Sequence, residues 1–461
     1  MTTLTEARAL PRARRLPRPR RWPITPVDIG LVLAVNGAIV AGMWVRHGGL
    51  DLLGSTAGLA TGLGQISALL GTYLALVGIL LMARAPAIDH VVGSDRLMAW
   101  HRRLGFGTLW LLLAHFAFTT IGWAMASGRT VVDELLDLLS TWDVLIATVG
   151  LALLVLVAVA SMRMARRRLA YETWYGLHLY AYLGIALAFL HQVTMGSDLV
   201  ADPLALWYWV ALYVVTFGLL TGFRVLAPIR LSLRHRLRVA NVVREAPDVV
   251  SIYLAGRHLE QLPVSAGQFF QVRFLTGGGW WRPHPFSISA APNGDWLRLT
   301  IKALGDDSRR MQSLPIGVPV FIEGPYGAFT AAVIRRPRVV MIAGGVGVTP
   351  LRAILEELRP APGAVTFLYR EGTPEEVVFR AELGALARSH GADVRLLVGH
   401  RGSPLMPVDP LTPENLGQLV PDIATADILV CGSRPFTERM LASLRSLGVP
   451  SSQVHAERFG Y

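Results

Sequence analysis

Six long apolar segments in the first half of the chain constrain its fold more than any other feature. Each is long enough to cross about 30 Å of hydrocarbon as an α-helix. From residue 227 onward the sequence is typical of a soluble α/β protein, so the 52% hydrophobic content of the 461 residues is concentrated in one half. The sequence therefore predicts a six-helix bundle that crosses a lipid bilayer. The segments cover residues 27–45, 59–82, 100–123, 143–162, 174–194 and 205–226.

The charges between these segments predict their orientation. Arginines are concentrated in the tail at 1–25, the loop at 83–103 and the turn at 163–168, whereas the alternate loops carry mostly Asp and Glu. By the positive-inside rule, both termini face the cytoplasm and the chain is a multi-pass protein of the cell membrane. The arginine-rich tail is interpreted as a topology signal, and no nucleic-acid partner is expected.

Four histidines lie inside these apolar segments. His101 and His115, in the third, are fourteen residues apart, which at about 100° per residue places them on one face of a helix. His178 and His191, in the fifth, are thirteen residues apart, about 220° past three full turns, so a straight helix would not place them on one face. Gly184 lies midway between them and could permit a bend or a tightened turn. Because the third and fifth segments both begin at the cytoplasmic side and run outward, His101 matches His178 in depth and His115 matches His191.

Paired intramembrane histidines indicate a function, because ionisable residues inside a bilayer are usually functional. Two imidazoles that face each other across a helix pair form an axial ligand set for haem iron. Zinc is an alternative, but two ligands are too few for a closed tetrahedral site. A third interpretation is that the histidines are scattered polar residues at helix contacts. We expect two haems, an inner one at His101 and His178 and an outer one at His115 and His191, that form an electron path through the bilayer.

The second half contains two patterns of secondary structure. Residues 236–331 consist of short strand patterns separated by turns, which predicts a small antiparallel barrel. Within it lie "HPFS" at 284–287, "IKALGDDSRRM" at 301–311 and "EGPYG" at 323–327. The last third alternates strands with helices.

A glycine-rich turn stands out in this last third. "RVVMIAGGVGVTPLRAILEEL" at 338–358 is an apolar strand, a glycine-rich turn and an amphipathic helix, a pattern that lets backbone N–H groups approach a pyrophosphate. "VTFLYREG" at 365–372 is a strand that ends at Arg370, a suitable partner for phosphate. "ILVCGSRPF" at 428–436 holds Cys431, the single cysteine, which by itself is consistent with a small buried strand-end residue.

In this order, behind a membrane domain with paired histidines, these stretches resemble the NADPH oxidase and ferric reductase family. The resemblance covers residues from about 27 to 461. It implies bound FAD, with Phe286 packed on the isoalloxazine and Ser287 facing the N5 edge. The further FAD residues that it implies are His284, Pro285, Lys302, Asp307 and Ser308.

The resemblance also implies a nicotinamide cofactor. Arg370 matches a strand-end arginine that receives the 2′-phosphate of NADPH in the family, whereas Glu371 beside it favours NADH, so NADPH is preferred slightly and NADH stays open. Phe459 matches an aromatic residue that covers the flavin until nicotinamide displaces it, with Tyr461 as the alternative. Ser287, Cys431 and Phe459 are the predicted catalytic residues. The other nicotinamide-site residues are Gly344, Gly345, Gly347, Thr349, Pro350 and Gly432, together with Cys431.

The predicted fold is multi-domain: a six-helix α transmembrane bundle, an antiparallel β-barrel FAD domain and an α/β nucleotide-binding domain. The predicted boundaries are 1–25 for the cytoplasmic arginine-rich tail and 26–227 for the haem-binding ferric-reductase-like domain. The FAD-binding domain is predicted at 228–333 and the NAD(P)-binding domain at 334–461.

The expected function is transfer of electrons from cytoplasmic NAD(P)H through FAD and two b haems to an outer-face acceptor. With both axial positions of the iron filled, electron transfer to the acceptor should be outer-sphere and should move one electron at a time. The reaction would reduce dioxygen to superoxide or a ferric complex to a ferrous complex. One alternative is a membrane module that delivers electrons to a dedicated extracytoplasmic redox partner protein. The other is a polytopic transporter whose histidines relay protons.

Overall fold

The computed structural model describes residues 24–166, 168–169, 171–196, 202–277, 280–358 and 360–459. The chain divides into two compact units, and the division falls between Val225 and Leu226. The first unit is helical. The second contains a β-barrel and an α/β domain.

Six helices of the first unit, counted over these described ranges, are long and apolar enough to cross a membrane, which confirms the predicted bundle. They are α1 (Pro26–Arg46), α2 (Thr56–Met82), α3 (Ser94–Ser127), α4 (Trp142–Ser161), α5 (Tyr171–Met195) and α6 (Pro203–Thr221). Shorter helices lie between them at Pro86–Val92, Val131–Ser140 and Arg163–Arg166.

Glycines allow close approach between two helix pairs of the bundle. A methyl group added to Gly64 of α2 would lie 2.4 Å from Oγ1 of Thr119 on α3. A methyl group on Gly150 of α4 would lie 2.7 Å from the carbonyl oxygen of Gly184 on α5. Small residues at such contacts let helix backbones pack tightly in a bilayer, where no hydrophobic effect holds them together.

Helix α5 is continuous α-helix from Tyr171 to Met195. Gly184 lies within it, at the close contact with α4.

The barrel of the second unit consists of two three-stranded antiparallel sheets, in the orders β1–β2–β5 and β4–β3–β6. Isolated bridges from Arg238 to Pro319 and from Ile288 to Leu299 join the sheets. Its core is apolar and includes Ile252, Phe270 and Leu299. The strands are β1 (Arg238–Ala246), β2 (Val249–Ala255), β3 (Phe269–Phe274), β4 (His284–Ser287), β5 (Leu297–Lys302) and β6 (Val320–Tyr326). Helix α7 (Ala227–His235) precedes β1, and a short helix at Asp306–Arg310 follows β5.

The α/β domain has a five-stranded parallel sheet in the order β11–β10–β7–β8–β9. The chain runs outward from β7 and later returns to β10 on the other side of β7, so the strand order reverses there. Ligands of such sheets bind at the carboxyl ends of the strands beside this reversal. The strands are β7 (Val339–Gly344), β8 (Val365–Glu371), β9 (Asp393–Val398), β10 (Asp427–Ser433) and β11 (Val454–Phe459). The helices are α8 (Val348–Glu357), α9 (Arg380–His390), α10 (Pro413–Leu419) and α11 (Arg434–Ser446).

Candidate functional site

The structure brings the four intramembrane histidines together as two pairs between α3 and α5. The ring centres of His101 and His178 lie 5.9 Å apart, with an angle of 69° between the ring planes. Those of His115 and His191 lie 6.4 Å apart at 47°. Each pair joins the residues that we matched by depth.

Hydrogen bonds to backbone carbonyls orient the α3 member of each pair. Nδ1 of His101 lies 3.0 Å from the carbonyl oxygen of Gly78, and Nδ1 of His115 lies 3.1 Å from that of Gly64. Because a carbonyl oxygen only accepts, Nδ1 must carry the proton in each ring. The Nε2 lone pair of both rings is then available to a metal, the arrangement typical of ligating histidines.

The spacing within each pair fits a metal ion held by both rings. With a metal–nitrogen bond of about 2 Å on each side and each nitrogen about 1 Å from its ring centre, two bridged rings have centres about 6 Å apart. The observed 5.9 and 6.4 Å agree with this value. Among the described residues, no group of three or more His, Cys, Asp or Glu side chains is placed to hold a metal ion. Each pair thus offers two axial ligands, the number that haem iron uses.

Strand β4 presents the predicted flavin motif at the edge of the barrel. It pairs with β3, where Phe286 lies opposite Phe270 and Ser287 opposite Phe269. The rings of His284 and Phe286 are stacked, 6.1 Å apart and at 23°. This pair forms a half-buried aromatic surface on which a planar ring can stack. Ser287, on the opposite face of the strand, is 7% exposed.

A charged group adjoins this aromatic surface. Asp307 accepts a hydrogen bond from Nη1 of Arg282 at 3.1 Å and another from Arg310. Its Oδ2 lies 3.7 Å from Nε2 of His284. Burial lowers the pKa of His284, and the nearby arginine charges act in the same direction, while Asp307 opposes them. The histidine is therefore neutral at neutral pH, and the positive charge beside the motif comes from Arg282 and Arg310.

The other predicted FAD residues occupy the end of β5 and the turn after it. Nζ of Lys302 lies 3.4 Å from Oδ2 of Asp248 and 3.9 Å from Oε1 of Glu376. Oγ of Ser308 accepts hydrogen bonds from the backbone nitrogens of Leu304 and Gly305, at 2.9 and 2.8 Å. Lys302 thus contacts two carboxylates of the protein. Ser308 fixes the turn that carries Asp307.

The glycine-rich turn joins β7 to α8 at the point where the strand order reverses. Gly345 has a φ of +58°, which favours glycine. A methyl group on Gly347 would lie 2.2 Å from the carbonyl oxygen of Cys431 in β10. Thr349 donates to the carbonyl oxygen of Val346 at 2.8 Å, and Pro350 lies in the first turn of α8, where its missing N–H is tolerated. The turn therefore packs against β10 through Gly347, while Gly344 and Gly345 stay partly exposed.

The predicted catalytic residues of the last strands lie beside this turn. Cys431 is completely buried, burial raises the pKa of its thiol, and its side chain belongs to the core of the domain. Gly432 follows it at the carboxyl end of β10. Phe459 ends β11 opposite Ser433 and packs against the same core. Tyr461 lies outside the described residues.

Arg370 and Glu371 point to opposite faces of β8, as successive strand residues do. Glu371 is 8% exposed and accepts a hydrogen bond from the hydroxyl of Tyr369 at 3.2 Å. Burial raises the pKa of this carboxyl. Nη1 of Arg370 donates to the carbonyl oxygen of Leu397 at 3.2 Å. Burial lowers the pKa of Arg370, and the charges of Arg401 and Arg439 act in the same direction, whereas Asp409 and Glu371 oppose them. The neighbour that we expected to oppose phosphate therefore faces away from the arginine.

Sequence reasoning did not identify a buried ionic network that joins the barrel to the α/β domain. Both oxygens of Glu382 accept from Arg298, at 2.7 and 2.9 Å, and Nη2 of Arg352 lies 2.7 Å from Glu382. Arg298 also donates to the carbonyl oxygen of Ser289 at 2.7 Å, two residues after the flavin motif. Glu356 pairs with Arg352 and accepts from the backbone nitrogen of Ala291 at 2.6 Å. The network links β5 and the segment after β4 to α8, the helix that follows the glycine-rich turn, and to α9.

Three family models match successive parts of the chain. The ferric reductase like transmembrane component matches residues 67–189, the FAD-binding domain residues 234–330 and the oxidoreductase NAD-binding domain residues 341–441. The first range contains His101, His115 and His178 and ends two residues before His191. The second contains the flavin motif, and the third the glycine-rich turn with Arg370 and Cys431.

Known proteins resemble the second half of the chain. A flavohemoprotein of Chromobacterium violaceum is 31% identical over 48% of this chain and 60% of its own length. The glycine betaine monooxygenase reductase subunit of Chromohalobacter salexigens is 28% identical over 49% of this chain and 64% of its own length. The chain thus spans about three fifths of these relatives. The FAD/NAD-binding domain of a Vibrio cholerae nitric oxide dioxygenase, covered completely, matches 50% of this chain at 24% identity with a TM-score of 0.39.

The FAD-binding and NAD-binding domains make the protein an oxidoreductase, and the six apolar helices with the ferric-reductase-like domain make it a multi-pass membrane protein. Binding of FAD and of NAD(P)H follows from the same matches. With these three domains in this order, the chain has the domain architecture of the NADPH oxidase and ferric reductase family.

Proposed function

We propose that the protein carries electrons from NAD(P)H, through FAD and two b haems, to a one-electron acceptor on the opposite side of the membrane. The observation that carries this proposal is the pair of imidazole sites at two depths, with ring centres 5.9 and 6.4 Å apart, in a chain that also has a reductase. By the distribution of arginines, the reductase and both termini face the cytoplasm.

The histidines would hold the haems in bis-imidazole ligation. His101 and His178 would take the inner haem, and His115 and His191 the outer one. The carbonyl oxygens of Gly78 and Gly64 hold the α3 rings with Nε2 free to ligate. Because two protein ligands would fill both axial positions, the outer site leaves no position for direct binding of an acceptor to iron. A small outer-sphere acceptor, dioxygen or a ferric complex, fits this arrangement best.

The barrel and the α/β domain would bring nicotinamide to the flavin. Bound FAD accepts the two electrons of a hydride and releases them singly, and haem iron carries one electron at a time. Phe286 and His284 provide the stacking surface, and Ser287 follows them at the end of β4. Positive charge near the pyrophosphate would come from Arg282, Arg310 and Lys302. The turn at Asp307 and Ser308 lies beside them. Sequence reasoning did not assign Arg282.

At the nucleotide site, the backbones of Gly344 and Gly345 would meet the cofactor, and Gly347 lets the turn approach β10. Thr349 and Pro350 fix the start of α8. Cys431 and Gly432 form the opposing wall at the end of β10. Because the Cys431 thiol is buried, its role would be to shape this wall, while the backbone of Gly432 meets the cofactor. Phe459 would cover the flavin. We propose NADPH as the preferred donor, because Arg370 lies near the end of β8 and its side chain leaves the opposite face of the strand from the carboxylate of Glu371.

Haem content tests the proposal. Purified full-length protein should contain about two b haems and one FAD per chain, and a reduced-minus-oxidised spectrum should show bis-histidine haem. Under aerobic conditions with NADPH, superoxide-dependent cytochrome c reduction and ferric-chelate reduction should be compared to identify the acceptor. Clearly less than two haems per chain in fully loaded protein would contradict the proposed pairing.

Replacement of Arg370 tests the nucleotide preference. Arg370→Ala should raise the KM for NADPH about ten- to a hundredfold, the equivalent of one charge-assisted hydrogen bond of about 1.5–3 kcal/mol. The KM for NADH should stay within about twofold, because NADH lacks the 2′-phosphate. Arg395→Ala is the matched control, since Arg395 lies on the neighbouring strand β9 and pairs with Asp393 at 2.7 Å. A wild-type preference for NADH, with both KM values unchanged in Arg370→Ala, would show that Arg370 does not bind the phosphate.

The second unit should also work by itself. A fragment that begins at residue 228 should bind FAD and oxidise NAD(P)H with an artificial acceptor, because its core and its predicted cofactor residues lie within it. Gly347→Val in the fragment should retain FAD and lose NAD(P)H oxidation, since its side chain would collide with β10. A folded fragment that binds FMN or no flavin would contradict the assignment of "HPFS" and "IKALGD".

A further inference from the structure

Helix α7 has one face fixed to the barrel. Oγ of Ser232 donates to the carbonyl oxygen of Ile322 at 3.1 Å and accepts from its backbone nitrogen at 3.0 Å. His235 is 1% exposed, and its Nδ1 bonds the carbonyl oxygen of Arg257 at 2.9 Å. Leu231 packs on the barrel core. These contacts hold the helix in a defined rotation about its axis.

The opposite face of α7 is apolar and exposed. Leu226, Ile229 and Leu233 are 59%, 42% and 64% exposed, and their spacing of three and four residues places them in one stripe. Arg230 and Arg234, both exposed, lie along the same helix. An apolar stripe flanked by arginines is the pattern of a helix that lies in a membrane interface.

The length of the last spanning segment places this stripe at the membrane boundary. The helical run from Pro203 to His235 contains 33 residues, about 50 Å at 1.5 Å per residue. The hydrocarbon core is about 30 Å thick, so about two fifths of the run lies beyond it. That part is the π-helical turn at Gly222–Leu226 and α7. The exposed stripe therefore begins where the hydrocarbon ends.

We propose that α7 lies in the headgroup layer on the reductase side of the membrane and binds anionic phospholipid. Leu226, Ile229 and Leu233 enter the boundary between headgroups and acyl chains. Arg230 pairs with lipid phosphates, which in phosphatidylglycerol carry a net negative charge that no choline group neutralises.

Site-specific labelling tests this proposal on the full chain. Cys431 is the only cysteine and is completely buried, so Leu233→Cys accepts a fluorophore selectively. The protein is reconstituted in vesicles of phosphatidylcholine with spin-labelled phosphatidylglycerol or spin-labelled phosphatidylcholine. Leu405→Cys is the matched control, because Leu405 is similarly exposed, at 69%, in the α/β domain.

We expect quenching at position 233 to be at least about threefold stronger than at 405, and stronger with phosphatidylglycerol than with phosphatidylcholine. Arg230→Gln with Leu233→Cys should reduce the difference between the two lipids and retain quenching. Equal quenching at 233 and 405 would overturn the proposal and show that protein covers the stripe. Equal quenching by both lipids in the presence of Arg230 would overturn the assignment of anionic lipid.

Discussion

His115→Leu should remove the outer haem and stop electron transfer across the membrane while hydride transfer to the flavin continues. Leucine fills the space of the imidazole without a ligand atom, and His191 alone gives one axial ligand. Haem content should fall from about two per chain to about one. Stopped-flow absorbance should show FAD and the inner haem reduced by NADPH at the wild-type rate, with no reduction of an acceptor on the far side.

The matched control for this variant is His47→Leu. His47 also lies in the first unit, but its Nε2 pairs with Oδ2 of Asp202 at 2.9 Å and not with another histidine. Both haems and transmembrane transfer should survive that change. Retention of two haems and of far-side activity in His115→Leu would refute the outer site.

Glu382→Gln should give the largest loss of stability outside the membrane. Arg298 and Arg352 are 2% and 1% exposed, and Glu382 is their shared carboxylate. Removal of the negative charge leaves two buried guanidinium groups incompletely compensated, which costs about 3–5 kcal/mol. The midpoint of thermal unfolding, followed by flavin release, should fall by about 6–20 °C for domains of this size.

An exposed ion pair provides the control for Glu382. Glu438 pairs with Arg434 at 2.8 Å on the surface of α11, and Glu438→Gln should leave the midpoint unchanged within error. The arginine partners lower the pKa of Glu382 against the effect of burial. Its stabilising effect is therefore present above its ordinary pKa of 4.5 and is lost as the pH falls through the lower folded value. Equal midpoints for Glu382→Gln and wild type at neutral pH would refute the role of the network.

The sequence predicted the architecture because its signals are local. Each span is a continuous apolar run, and each nucleotide motif is a contiguous stretch. Depth matching also joined His101 to His178 and His115 to His191 correctly in space. Periodicity alone did not place His178 and His191 on one face of α5, because it describes the positions of Cα atoms and not the ends of long side chains. The structure nevertheless brings both imidazoles to their partners on α3.

Other parts of the site depended on contacts between distant residues. Arg298 and Glu382 are 84 positions apart, on two different domains, so no spacing rule connects them. The charge of Arg401 acts on Arg370 because a loop brings two positions that are distant in sequence close together. By contrast, the separation of Arg370 from Glu371 followed from the two-residue period of a strand and was open to prediction. Complete burial of Cys431 follows from its place in the central region of the parallel sheet, where strands are covered on both faces.

Proteoliposomes with an acceptor trapped inside test the central claim most directly. Full-length protein is reconstituted with FAD and haem, ferricytochrome c is enclosed in the lumen, and NADPH is added outside, where only outward-facing reductase domains can use it. We expect the enclosed cytochrome c to be reduced by wild type under anaerobic conditions, and only at the background rate by His115→Leu. Oxidation of NADPH with reduction of acceptors on the outside alone, and none in the lumen of wild-type vesicles, would contradict electron transfer through the bilayer.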